Sequence, residues 1–315
     1  MVQSAAETSH EAPIGLGGAE GAAVKARSPR QLFWDRLKQD KLALAGAAAI
    51  IIMITLAILA PLSAKVTGHP FDTLYRGRTD FFGIPRGPTN TFWFGNDDLG
   101  RDLFVRVLYG ARVSLAIALV ATGIEVVLGV IAGLASGYAG GKLDTFLSRL
   151  MDLVLSIPFL LLGISLAVSL KPSVQLVIFI IAFFGWPYIG RIVRGQVLSL
   201  RESQFVEAAQ SLGAGRGWIM FKEILPNLVA PVLTYATLIV PVNIIAESSL
   251  SFLGVGVQEP TPAWGTMLSR ATPYASQGEA WWYMAFPGAA LFITVLAFNL
   301  LGDGLRDALD PRTGR

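Results

Sequence analysis

Two carboxylates, Glu125 and Glu247, stand inside long apolar runs, and Asp97, Asp98, Arg101 and Asp102 form a charge cluster between glycines. A charged carboxylate at mid-bilayer costs about 2.5 to 3.5 kcal/mol on insertion scales, so in such a run it must face protein or water. Glu125 is the deeper of the two. It can line a substrate path and meet an amino group, or it can close a helix–helix hydrogen bond. Glu247 stands beside Ser248, Ser249 and Ser251, a set that suits the polar mouth of such a path. Asp152, near the start of another run, suits an ion pair with Arg149 or Arg191 at interface level. The 97–102 cluster either meets a protein outside the membrane or closes an internal salt-bridged turn. The proline-rich connection that carries Trp264 is the better candidate for a docking face or outer gate.

Enzymatic chemistry finds little to work with. There is no cysteine, so disulfides, thiolate metal sites and cysteine nucleophiles are excluded. The two histidines, His10 and His69, both lie outside the apolar runs. No nucleophile–base pair or metal-ligand cluster falls near a bilayer surface, and neither catalytic residues nor a metal site are expected. No G-x4-G-K-[ST] loop occurs, so any nucleotide must be bound by another subunit.

The elements that must hold these residues are membrane helices. Of 315 residues, 53% are hydrophobic and only 15% charged, where a soluble chain carries about a quarter charged. Mean hydropathy is +0.56. A net charge of +3 is too small and too dispersed to argue for nucleic acid. A membrane helix needs roughly 20 mostly apolar residues, and six segments qualify: 42–62, 113–138, 146–170, 174–190, 228–252 and 283–301. The expected fold is therefore an all-α integral membrane protein with six transmembrane helices. Residues 1–30, rich in Ala, Gly, Ser and Glu, read as a disordered cytoplasmic tail ahead of a permease domain at 31–315. The first apolar run is longer than the roughly 7 to 15 residues of a signal peptide's apolar stretch, and it reads as an anchor that stays.

Basic residues orient the spans. With an even number of crossings both termini share one side, and 16 of the 25 Lys and Arg fall there. Seven of the other nine sit in one long loop, where charge counts for less. Both termini and the 191–227 connection are thus expected in the cytoplasm, and the 63–112 loop outside. Gly129, Gly133 and Gly137, four apart, share one helix face and predict close packing against another backbone. Trp281, Trp282 and Tyr283 open the sixth span as an aromatic belt.

The connection between the fourth and fifth spans is too polar to insert and too patterned to be a linker. Residues 201–212 predict a helix with Phe205, Ala209 and Leu212 along one stripe, ended by Gly213. A second short helix carries Trp218, Phe221 and Leu225, and Pro226 suits the first turn of the next helix. The stripe either packs on the module itself or docks onto a soluble partner, and docking is the expectation for a chain otherwise committed to lipid.

Glu207-Ala208-Ala209, Gly213 and Leu225-Pro226 resemble the EAA loop of bacterial ABC importer permeases, E-A-A-x3-G-x9-I-x-L-P, with Glu223 standing where that pattern has Ile. The segment 95–102 is similar to the G-T-D-x-x-G-R-D stretch of the dipeptide/oligopeptide/nickel permeases, with Asn96 in place of Thr. Further segments at 109–115, 247–254, 260–265 and 299–304 extend the likeness over about 94–312, to the C-type transmembrane subunit. The resemblance implies that Glu207, Ala208, Ala209, Gly213, Trp218, Phe221, Leu225 and Pro226 seat in a cleft of an ATPase subunit. It also implies alternating access in the bacterial inner membrane, with partners that comprise a second homologous permease, two ATPase subunits and an extracytoplasmic binding protein. ATP and Mg belong to the ATPases, and this chain binds no cofactor. Di- or oligopeptides are the expected substrate, and nickel complexes, glutathione or other small solutes are the alternatives. A stand-alone secondary transporter is the less favoured alternative: such proteins often show inverted repeats, and the two halves here have no obvious self-similarity.

Overall fold

The computed structural model describes residues 29–309. Residues 1–28 and 310–315 lie outside the described residues, and with them nearly all of the expected tail; Pro29 and Arg30 are already helical. No extended strand occurs among the described residues, which carry only two isolated bridges, Thr79 to Pro85 and Asn96 to Asp102.

Helix α1 (Pro29–Gln39) ends at Asp40, whose carboxylate accepts from the backbone of Leu42 at 2.9 Å and Ala43 at 3.0 Å and so caps α2 (Lys41–Ile58). The first apolar run then breaks at Leu59. A short α3 (Ala60–Thr67), with Pro61 in its first turn, takes up the remainder. The second span is ten residues longer than expected at its start: α4 runs Leu103–Ala139, capped by Asp102. Its first turns look like loop in the sequence because they hold Arg106 and Arg112. Arg106 is nevertheless buried, neutralised by acids from elsewhere in the chain. At 1.5 Å per residue α4 is about 55 Å long, well beyond a hydrocarbon core of about 30 Å.

The third expected span is not one helix. It is α5 (Gly141–Ser156) and α6 (Phe159–Leu170), bent by 79° where Pro158 supplies no backbone N–H. The fourth does not stop near Pro187; α7 runs Val174–Arg201 with that proline inside it. After α8 (Gln204–Ser211) come a single turn α9 (Arg216–Trp218), a wider π-helical turn (Ile219–Ile224) and α10 (Leu225–Phe252). These last three form one continuous 37-residue rod, Arg216–Phe252. The proline-rich connection also holds a helix, α11 (Trp264–Ser276), and α12 (Trp281–Leu309) outlasts its expected span by eight residues. Among the described residues, five helices are long and apolar enough to cross a membrane, or six with the bent α5–α6 pair as one span.

The glycine stripe of α4 meets α7. A Cβ on Gly133 would lie 2.6 Å from the Gly190 carbonyl oxygen and 2.7 Å from Val193 Cβ, while one on Gly137 would lie 2.8 Å from Val197 Cβ. All of these distances are shorter than van der Waals contact, so only glycine lets the two backbones come this close. Ion pairs fasten the same region: Arg194 holds Asp144 of α5 at 2.6 and 2.7 Å, and Asp152 meets both Arg191 and Arg149. The aromatic belt matches expectation only in part. Trp281 is exposed, but Tyr283 is buried and donates to Asp98 at 2.9 Å.

Candidate functional site

Between α7 and α10 the chain folds into a compact helical module. Gly213 ends α8 at φ +81, a conformation that L side chains adopt only with strain. The backbone of Ala214 reaches back to the Ala209 carbonyl at 3.0 Å and closes the turn. The stripe that holds the module in place is Val206, Ala209, Ile219 and Ile224, all buried in one cluster with Ile189, Val193 and Val197 of α7. Only Ala209 of the expected stripe belongs to it. Phe205 and Leu212 point outward instead, 38% and 89% exposed, as do Trp218 at 51% and Phe221 at 61%. Phe205 and Leu212 flank Ala209 on one side of the helix and Val206 flanks it on the other; the buried face is centred between Val206 and Ala209, which turns Phe205 and Leu212 outward. Glu207, Ala208 and Pro226 are also exposed, and Leu225 is half-buried. Trp218 is the last residue before the π-helical turn that leads without a break into α10.

The carboxylates in the spans lie in the chain's interior. Glu125 is fully buried, and both of its oxygens face the Asn243 side-chain amide of α10, at 3.0 and 3.1 Å. That contact joins α4 to α10. Glu247 is equally buried; Ser251 donates to it at 2.8 Å and Ser248 at 3.3 Å, while Ser249 turns back to its own helix through the Ile245 carbonyl. Asn243 is itself legible as a polar residue in an apolar run, the same signal that picks out Glu125.

The 97–102 cluster is a buried junction. Arg101 bonds Asp97 at 2.6 Å and reaches across the sequence to Glu259 at 2.6 and 3.2 Å, and Arg106 adds contacts to Asp97 and Glu259. Arg270 of α11 grips Asp98 at 2.8 Å, His69 bonds Asp102 at 2.7 Å, and Trp264 donates to the Val107 carbonyl at 3.0 Å. Asp97, Arg101, Asp102 and Trp264 are each 3% exposed or less, which leaves Asp98 as the half-buried member. The internal salt-bridged arrangement is what the chain adopts, and Glu259, 158 residues from Arg101, is the partner that no local pattern could reveal. Burial pushes the Asp97 carboxyl above its ordinary range against the pull of Arg101 and Arg106. Burial works on Glu259 in the same direction, yet the Arg101 hydrogen bond and the charges of Arg106 and Arg270 outweigh it and hold Glu259 low.

Replacing Arg101 with Met takes one of two guanidiniums from Asp97 and Glu259, leaves Arg106 to face both, and is expected to cost about 1.5 to 3 kcal/mol, read as a lowered thermal unfolding midpoint in detergent. The Glu259 contribution has a definite sign in pH. A carboxyl held low in the fold stabilises at neutral pH, and that stabilisation is lost as pH falls through the lowered value. Wild type and Glu259→Gln should differ at neutral pH and converge in acid.

The comparisons with known proteins agree with this architecture. Residues 126–315 match the family described as binding-protein-dependent transport system inner membrane component, and residues 28–79 match the N-terminal TM domain of oligopeptide transport permease C. The chain is 41% identical over 288 residues to the dipeptide transport system permease protein DppC of Alkalihalophilus pseudofirmus, covering 90% of each chain. It is 40% identical over 286 residues to the glutathione transport system permease protein GsiD of Escherichia coli, covering 91% of each. In fold it is similar to a chain of the MetNI methionine ABC transporter in an inward-facing conformation, with TM-score 0.54 and 21% identity, over 65% of this chain and 96% of that one.

A multi-pass helical bundle with these matches is the permease subunit of an ATP-driven ABC importer, a non-catalytic component that works with ATPase and substrate-binding partners. The chain belongs to the binding-protein-dependent transport system inner membrane components, and its N-terminal match places it among the C-type permeases of that family.

Proposed function

We propose that this chain is one half of a peptide-importing channel and that its 204–226 module is the handle gripped by an ATPase subunit. The observation that carries this reading is the exposure of Phe205, Leu212, Trp218 and Phe221 on a module whose inner stripe is already satisfied. Large apolar side chains presented together on a rigid platform outside the spans fit a protein cleft better than water. Because the module runs unbroken into α10, a push on Trp218 is transmitted along a 37-residue rod. Closure of the ATPases around ATP and Mg then becomes movement of α10 within the bundle.

Two ATPases and a second, homologous permease complete the assembly in this reading. Val242 and Ile245 of α10, three residues apart and both at least half exposed, mark where the second permease would pack. The module end is assigned to the cytoplasm. Phe33 of α1, Pro226 and Leu309 of α12 line one groove there, which supports reading the first and last described helices as sharing the module's side. The excess of Lys and Arg supports the cytoplasm for that side. An extracytoplasmic binding protein would then dock at the opposite end, around Asp98 and α11. Peptides are the proposed cargo, since the relatives are named for dipeptide and glutathione transport.

The test is Gly213→Val. A β-branched side chain at φ +81 is strained, yet nothing lies within 4 Å of the position, so the effect should stay local. Proteoliposomes of the assembled importer should keep wild-type amounts of this chain and lose substrate-stimulated ATP hydrolysis. Undiminished stimulation would count against the module as the coupling surface. Uptake of labelled di- and tripeptides against nickel complexes, measured in the same vesicles, tests the cargo.

A further inference from the structure

We propose that Glu125 is a positioning residue, an uncharged-acting pin that fixes the pivot of α10 against α4 and α7 and turns the push on the module into channel opening. This rests on the coupling reading above. Three observations meet at one point. The Asn243 amide nitrogen of α10 lies 3.0 and 3.1 Å from the two Glu125 oxygens and 2.8 Å from Thr122 Oγ1, one turn earlier on α4. The Thr122 hydroxyl is itself spent on the Ala118 carbonyl at 2.8 Å, so the set is closed. On the other side, Gly185 of α7 leaves the space that the carboxylate fills: a Cβ there would overlap it.

The pin sits where the rod is weakest. Pro231 and Pro241 lie inside α10, and each removes a backbone hydrogen bond from the helix. Asn243 follows Pro241 by two residues. Up to Ile239, with Leu228, α10 packs in the module cluster with α7; from Val240, with Ile244, it packs against Ala111, Leu115 and Ala118 of α4, and Pro241 lies at that change of partner. A displaced rod that is held just past its proline bends there. An unheld one slides without opening the channel. No salt bridge to Glu125 forms among the described residues, and its partners are a neutral amide and the packed walls of α7. Hydrogen-bond acceptance, with no need of charge, is therefore the property in use.

The experiment measures peptide moved per ATP hydrolysed by the assembled importer in proteoliposomes. Glu125→Gln keeps an acceptor for Asn243 and should transport like wild type. Glu125→Leu and Asn243→Leu should reach the membrane in normal amounts, hydrolyse ATP, and move about five- to tenfold fewer peptides per ATP, the scale of one lost interhelical hydrogen bond. Gly185→Ala, which displaces the carboxylate, should behave like them. A lowered protein level with an unchanged ratio in the survivors would reduce Glu125 to a packing role and overturn the proposal, as would loss of transport in Glu125→Gln. The parent reading fails separately: if Gly213→Val stays coupled, the module is not the handle, whereas uncoupling in Gly213→Val with normal Glu125→Leu sinks the pin alone.

Discussion

Trp218→Asp combined with Phe221→Asp should strip the ATPase subunits from the purified complex while leaving this chain folded. Both side chains are more than half exposed, so the substitutions remove little internal packing. What they remove is an apolar face, and they put two charges where a partner's cleft must close without water. Aromatic anchors at interfaces typically cost about 2 kcal/mol or more each when truncated, and a buried unpaired charge adds to that. The expected result is affinity lowered by more than about a thousandfold, since each 1.4 kcal/mol is tenfold. It would be read as ATPase lost on affinity purification through this chain at unchanged thermal stability. Recovery of the ATPases in wild-type proportion would remove the basis for the proposed coupling.

The second large effect is expected inside the bundle. Gly133→Leu forces a side chain into the space held by the Gly190 carbonyl and Val193, and those atoms belong to backbone and a β-branched stem that cannot swing aside. Overpacking of a core typically costs about 1 to 3 kcal/mol, and here about 3 kcal/mol or more is expected because α4 and α7 would have to separate along their whole contact. Size-exclusion profiles in detergent should show aggregated or degraded protein. Gly123→Leu is the internal control on the same helix: nothing lies within 4 Å of that position, and the protein should stay monodisperse.

How far the sequence reveals this structure depends on the range of the physics involved. Local signals are legible. Three glycines at one spacing name the packing face of α4, Gly213 names the end of α8, and Pro226 names the first turn of α10. Signals that depend on distant partners are not. The start of α4 is hidden because Arg106 reads as a loop residue until Glu259, over 150 residues later, neutralises it. The third span looks unbroken because Ile157-Pro158 is as apolar as its surroundings, and hydropathy does not register a missing N–H. In the module, apolar residues occupy both faces of α8, so periodicity alone does not separate Val206, which holds the platform, from Phe205 and Leu212, which face away from it. The two carboxylates in the spans stand out by composition, but their enclosure follows only from Asn243 and Ser251 coming to rest beside them.

The ionic junction of Asp97 and Arg101 with Glu259 also bears on how the chain is made. Its first members leave the ribosome long before the last, and the spans from α4 to α10 are all made in between. Until residue 259 is made, Arg101 and Arg106 have only Asp97 of this junction to meet. Glu259 then completes the pairing of both guanidiniums, so where an early helix begins is settled by a residue made late.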